Sequence, residues 1–173
     1  MVNFNSKKNL TFIGMPSSGK SVTGKILAQK LNCRYVDLDI LILEKEGKSH
    51  HQILKDMGED VLKELEEKYT LSLNFKKLIF APPGSIIFSP KAMEKIKNES
   101  FVIHLGVSEK EIKRRLGEKL YKDGIIGLEE KGLSQIILER LPLYQKYADL
   151  YLDTNDLNTE EVVAEVLKKI KMV

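Results

Sequence analysis

The chain has 173 residues, 42% hydrophobic and 31% charged, the balance of one soluble globular domain long enough to bury a core. Its net charge of +3 is small and its basic residues are scattered, which argues against a nucleic-acid partner; its single cysteine, Cys33, excludes an intramolecular disulfide and suits a reducing compartment. No apolar run approaches the ~18 residues of a membrane span, and the N-terminus lacks an apolar signal core, so no membrane association and a cytoplasmic location are expected.

Strand and helix patterns alternate along the chain. Asn9 to Ile13 is a short β-prone run leading into Gly14-Met15-Pro16-Ser17-Ser18-Gly19-Lys20-Ser21, which fits the phosphate-binding pattern G-x-x-x-x-G-K-[ST]. Val22, Ile26, Leu27 and Leu31 then recur at helical spacing, so strand, loop and helix stand in the order that motif needs. Arg34 to Asp37 reads as a second strand, followed by Asp37-Leu38-Asp39 and a helix over Ile40 to Glu46. Ser49 is the candidate cap of a short helix, Gln52 to Met57, and after Gly58 a longer helix runs from Glu59 to about Leu73. Lys77 to Ala81 is a third strand, closed by Pro82-Pro83-Gly84-Ser85. Ser89-Pro90 reads as an N-cap and first-turn proline opening a helix to Lys97.

Phe101 to Leu105 is the fourth strand, and Ser108 opens a helix carrying Arg114 and Arg115 near its end. Residues 117–131 are polar and glycine-punctuated, the composition of a functional lid. A helix over Leu133 to Tyr147 should kink at Pro142, and Asp149 to Asp153 forms the fifth strand before a last amphipathic helix, Thr159 to Lys171. The expected architecture is α/β: a three-layer α/β/α P-loop domain over residues 1–173, with a five-stranded parallel sheet, helices on both faces and a lid segment. Ligands of such a sheet sit at its strand C-terminal ends.

The loop has a chemical reason for each residue type. Gly14 and Gly19 allow the dihedrals that turn backbone N–H groups inward onto phosphate oxygens. Lys20 can reach the β- and γ-phosphates, and the Ser21 hydroxyl is a hard ligand for Mg²⁺. Asp37 and Asp39 follow strand two; one could hold the metal and the other accept a hydroxyl proton. Lys63 and Glu66, three residues apart on one helix face, form a surface ion pair when taken alone. His50 and His51 read as solvated, His104 as a core residue, and Cys33 as a buried bystander.

Together these pieces resemble the shikimate kinase family of P-loop kinases, from about Leu10 to Ile170. The more specific signals are Tyr35-Val36-Asp37-Leu38-Asp39, Gly58-Glu59 with Glu66, the glycine-containing turn after strand three, Arg140-Leu141-Pro142-Leu143-Tyr144, and Asp153-Thr154-Asn155. The resemblance implies an ATP:alcohol phosphotransferase acting on shikimate as a monomer, with ATP and Mg²⁺ as cofactors and no partner beyond its small-molecule substrate. It assigns the nucleotide to Gly14, Ser17, Ser18, Gly19, Lys20, Ser21 and Val22, with Arg115 and Asn155 beside the adenine. Asp37 and Ser21 would hold the metal. Asp39 would orient the attacking hydroxyl, Gly84 would offer backbone to the acceptor, and Arg140 would pair with its carboxylate.

Three positions depart from the family pattern. Lys63 stands where a second carboxylate-binding arginine is expected, with Leu62 in place of phenylalanine; lysine keeps the charge but loses the planar fork. Pro82 and Pro83 replace backbone donors in the turn that carries Gly84. Lys122 is the basic residue nearest to where the lid should carry an arginine against the transferring phosphate. These departures fall in the acceptor pocket and the lid, while the nucleotide side is intact. A kinase for another small hydroxylated acceptor, such as a nucleoside or a hydroxy acid, or a non-catalytic nucleotide-binding module, are the competing readings.

Overall fold

The computed structural model describes residues 9–117 and 125–171. Five strands, β1 (Leu10–Ile13), β2 (Arg34–Asp37), β3 (Leu78–Ala81), β4 (Phe101–Gly106) and β5 (Leu150–Asp153), form one parallel sheet in the order β2-β3-β1-β4-β5. Register is set from the central strand, where Leu10 faces Ile79 on one side and Phe101 on the other. Asn9, just before β1, anchors that register: its side-chain amide donates to the carbonyls of Phe75 and Glu99 and accepts from the Leu78 N–H.

Alternation along each strand sends successive side chains to opposite faces. Leu10, Phe12, Ile79, Phe101, Ile103 and Leu105 pack with Leu27 of α1 (Lys20–Leu31) and with Val162, Val163, Val166 and Ile170 of α8 (Thr159–Lys171). Ile13, Leu78, Phe80 and Val102 point the other way. They meet α2 (Leu38–Glu46), α3 (His50–Met57), α4 (Glu59–Ser72), α5 (Pro90–Glu99), α6 (Glu109–Leu116) and α7 (Leu128–Tyr147). The three layers, parallel sheet and helices on both faces are those expected from the alternating pattern.

Some boundaries differ. The second helix begins at Leu38 rather than Ile40, because the Asp37 carboxylate accepts the Asp39 N–H at 3.1 Å and caps it. Asp37 and Asp39 are therefore not two residues of one extended chain: one is the cap and the other sits in the first turn. The third helix begins at His50, closed by a full capping box in which Ser49 and Gln52 exchange side-chain and backbone bonds. A 3₁₀ turn at Ile86–Phe88, absent from the sequence reading, follows β3. In α7 the non-helical backbone is at Gly132 (φ 75°, ψ 162°) and not at Pro142. Glycine's freedom makes it the residue that absorbs the break. Of the expected lid, residues 118–124 lie outside the described residues; Ile125 and Ile126 are buried in the core, and Leu128 to Lys131 are helical. Among the described residues no helix is long and apolar enough to cross a membrane.

Candidate active site

The phosphate-binding loop leaves β1 at Gly14, whose φ is +145° and whose missing Cβ would lie 2.5 Å from the Leu105 carbonyl oxygen of β4. No other residue fits there. Ser17 and Gly19 are also left-handed, and Gly19 caps α1 without any side-chain bond. The first turn of α1 carries no acidic residue, so its free N–H groups and positive dipole end remain directed at an anion. The Ser18 Oγ is buried in the loop with no hydrogen-bond partner, a polar atom that phosphate oxygens would satisfy. Lys20 folds over the loop and donates from Nζ to the carbonyls of Gly14 and Met15, both at 2.9 Å. Burial pushes its pKa down to about 8, against the opposing charges of Asp39 and Asp37.

The loop separates two cavities. One, of about 730 Å³, runs from Ser17, Ser18, Gly19 and Val22 across to Arg115, Asn155 and Leu157. Arg115 braces this side: its Nη1 donates to the Ser17 carbonyl at 3.0 Å, its Nη2 to the Thr154 carbonyl at 2.9 Å, and its Nε meets Glu111. Asn155 accepts the Ser108 N–H and donates to Asp153. Both residues line the cavity, but their polar groups already hold the loop, β5 and α6 together.

The second cavity, of about 430 Å³, opens at the C-terminal ends of β1, β2 and β3. Lys20 and Ser21, Asp37 and Asp39, Pro82 to Ser85, Ile126 and Arg140 line it. Gly84 is pinched here. A Cβ on it would lie 2.9 Å from the Tyr144 hydroxyl, 3.0 Å from Arg140 Nη1 and 3.1 Å from the Gly14 carbonyl, while its own carbonyl accepts from Tyr144 at 2.8 Å. Arg140 is 2% exposed. Its Nη2 donates to the Ile126 carbonyl, its Nε has no partner, and the Phe88 ring lies 5.6 Å from the guanidinium carbon. Among the described residues no carboxylate forms an ion pair with it, though a buried guanidinium is costly unless an anion meets it.

A shikimate kinase family model matches residues 16–171. Curated shikimate kinases from Sulfurihydrogenibium sp. (33% identity, 95% of this chain and 98% of the relative) and Thermodesulfovibrio yellowstonii (30% identity, 94% of each) align along nearly the whole chain. The chain belongs to the shikimate kinase family. It is therefore a kinase, a phosphotransferase that uses ATP. The fold agrees with solved family members: the Acinetobacter baumannii shikimate kinase in complex with shikimate (TM-score 0.87, 23% identity, 98% and 96% coverage) and the Bacteroides thetaiotaomicron enzyme (0.79, 22%, 94% and 98%).

Within this family member, Asp39 is open to the cleft, with 56% side-chain exposure, but protein surrounds the cleft and partly desolvates it. That setting raises its carboxyl to about 6, with Asp37 and Glu66 adding to the rise and His50 opposing it. Asp37 also accepts from the Tyr35 hydroxyl at 3.0 Å. Lys63 is not brought to this cavity. Its ammonium bonds Glu59 one turn earlier at 3.1 Å, a half-exposed pair on α4, and it lines smaller clefts beside Phe88. The expected Lys63–Glu66 surface pair is therefore absent: Glu66 is 1% exposed and accepts from Ser85 Oγ at 2.7 and 2.9 Å. Lys122 lies outside the described residues. His50 was misread as solvated, being 8% exposed and part of the cavity wall. The signal for both was periodicity: Leu62, Glu66 and Thr70 form one buried stripe on α4, and His50 and Ile53 one on α3. A polar residue in an apolar stripe carries a task.

Proposed function

We propose that this chain transfers the γ-phosphoryl group of ATP to a hydroxyl of shikimate, giving shikimate 3-phosphate and ADP. The observation that carries the acceptor is Arg140: a buried guanidinium that no carboxylate among the described residues pairs with, opening on the cavity that Lys20 and Asp39 also line. A small acid with a carboxylate at one end and hydroxyls at the other matches that polarity, pairing with Arg140 and presenting its hydroxyls to Asp39.

The nucleotide phosphates lie against the α1 N-terminus, Ser18 and Lys20, and the adenine lies in the cavity bordered by Val22, Arg115 and Asn155. Ser21 and Asp37 hold Mg²⁺, which when bound neutralises charge on the phosphate oxygens. Asp39 orients the acceptor hydroxyl and takes its proton as the new P–O bond forms and the bond to the β-phosphate oxygen breaks. Lys20, released from the Gly14 and Met15 carbonyls, moves onto the transferring phosphate. Gly84 keeps the floor low enough for the acceptor to reach its backbone. Catalysis comes from positioning and electrostatics, since phosphoryl transfer asks for little covalent chemistry from the protein. A cytoplasmic monomer belongs to the same reading.

ADP release from ATP–Mg²⁺ should depend on shikimate. Arg140→Ala should raise the shikimate KM by about 10²-fold, the cost of losing a desolvated ionic partner, and Asp39→Asn should lower kcat by about 10²-fold or more. Turnover with shikimate unchanged in Arg140→Ala would overturn the reading. A second reading, another hydroxy acid as acceptor, draws on Pro82 and Pro83 in the cavity lining, which offer no N–H to a substrate. Silence with shikimate and turnover with another hydroxy acid would favour it.

A further inference from the structure

One buried titratable group in the acceptor cavity has no part in the scheme above. His50 heads α3, and its Nε2 lies 3.4 Å from Asp39 Oδ1 and 3.5 Å from Glu66 Oε1; these are ion-pair distances without hydrogen-bond geometry. Its Nδ1 is buried with no partner. Glu66 is itself fixed by Ser85, which follows Gly84 in the cavity lining. A row Ser85–Glu66–His50–Asp39 thus joins the turn after β3 to the first turn of α2.

The row has an electrostatic logic. Without a cation between them, Glu66 and Asp39 are two carboxylates facing one small, partly desolvated space, and like charges there repel. Lys63 does not relieve this, being held on Glu59 away from the cavity. We propose that His50 is a positioning residue of the acceptor site, a cation set between Glu66 and Asp39 that fixes the Asp39 carboxylate against the acceptor hydroxyl and replaces the charge Lys63 withholds. Burial works against a charged imidazole, but Glu66, Asp39 and Asp37 outweigh it and hold its pKa above the ordinary histidine range. This inference rests on the role given above to Asp39.

The test compares His50→Leu, His50→Gln and Lys63→Ala in the full chain. His50→Leu should lower kcat with shikimate on the order of 10²-fold while leaving the ATP KM unchanged, as expected of a misplaced catalytic carboxylate. His50→Gln, which keeps a donor, should recover about tenfold of that, and Lys63→Ala should cost less than either. A purely structural role predicts the opposite order, since leucine suits a buried site better than glutamine; leucine equal to or better than glutamine overturns the proposal, as does a larger loss in Lys63→Ala. The side-chain ¹⁵N resonances of His50, read at one fixed pH, should move in both Asp39→Asn and Glu66→Gln. If the wild type is silent with shikimate, the reading of the acceptor fails. The histidine assignment then stands or falls on those resonances, and no movement in either variant refutes it.

Discussion

His104 makes acid a specific threat to this fold. It lies in the middle of β4, paired in register with Ile13 at the root of the phosphate-binding loop, is 3% exposed, and stacks on Tyr144 at 4.8 Å. Burial, with a smaller push from the Lys20 charge, lowers its pKa from 6.5 to about 4. A histidine whose folded pKa is depressed binds more protons when unfolded. Its contribution to stability is thus fully present above about 6.5, declines as pH falls, and is exhausted below about 4. Linkage over that interval gives a loss of about 2 kcal/mol by pH 5 and about 3 kcal/mol by pH 4. His104→Phe keeps a ring against Tyr144 and cannot protonate; its packing cost is independent of pH. Urea unfolding of both proteins at pH 7.5, 6, 5 and 4 should show the wild type losing about 2 kcal/mol relative to the variant by pH 5. His50, whose shift is upward, is common to both and cancels in the difference. Parallel stability curves for the two proteins would refute the assignment of a neutral buried His104.

Three further outcomes are expected. Gly84→Ala places a methyl 2.9 Å from the Tyr144 hydroxyl and 3.0 Å from Arg140 Nη1, so the guanidinium must shift; steady-state kinetics should show a shikimate KM raised by about tenfold with the ATP KM little changed. Lys20→Met should abolish turnover while leaving the far-ultraviolet circular dichroism intact, since a buried lysine with its charge removed costs the fold nothing electrostatic. Ser49→Ala removes the cap and half of the capping box of α3 and should cost about 1 kcal/mol in denaturant unfolding.

The phosphate-binding loop was legible in the sequence because its geometry is mostly backbone. Gly14, Gly19, Lys20 and Ser21 are contiguous, and the strand before and helix after them announce themselves by period. The sheet was legible for the same reason: Phe12, Phe80 and Ile103 lie in short apolar runs bounded by turn residues. Boundaries failed where a side chain decided them. Asp37 ends β2 as expected, but the bond its carboxylate accepts from the Asp39 N–H starts the helix two residues early. Pro142 looked like the kink in α7, but a proline's lost bond can be absorbed within a packed helix, whereas Gly132 adopts dihedrals that no other residue takes as cheaply.

The acceptor half draws on β2, α2, α3, α4, the turn after β3 and α7, segments spread over a hundred residues, and its chemistry depends on which side chains converge. Lys63 shows the consequence. By resemblance to the family pattern it is the residue expected to meet a carboxylate, and by charge it could; yet Glu59, one turn away on the same helix, holds its ammonium outside the cavity. His50, unremarkable beside His51 in the sequence, enters because the capping box at Ser49 sets the phase of α3 so that His50 and Ile53 face inward. A lysine on a flexible stem is placed by whichever carboxylate it finds first, whereas an imidazole on the first turn of a capped helix is placed by the backbone. On the reading proposed above, the positive charge beside Asp39 would be carried by the shorter, stiffer side chain, leaving Arg140 as the planar group for the acceptor's carboxylate.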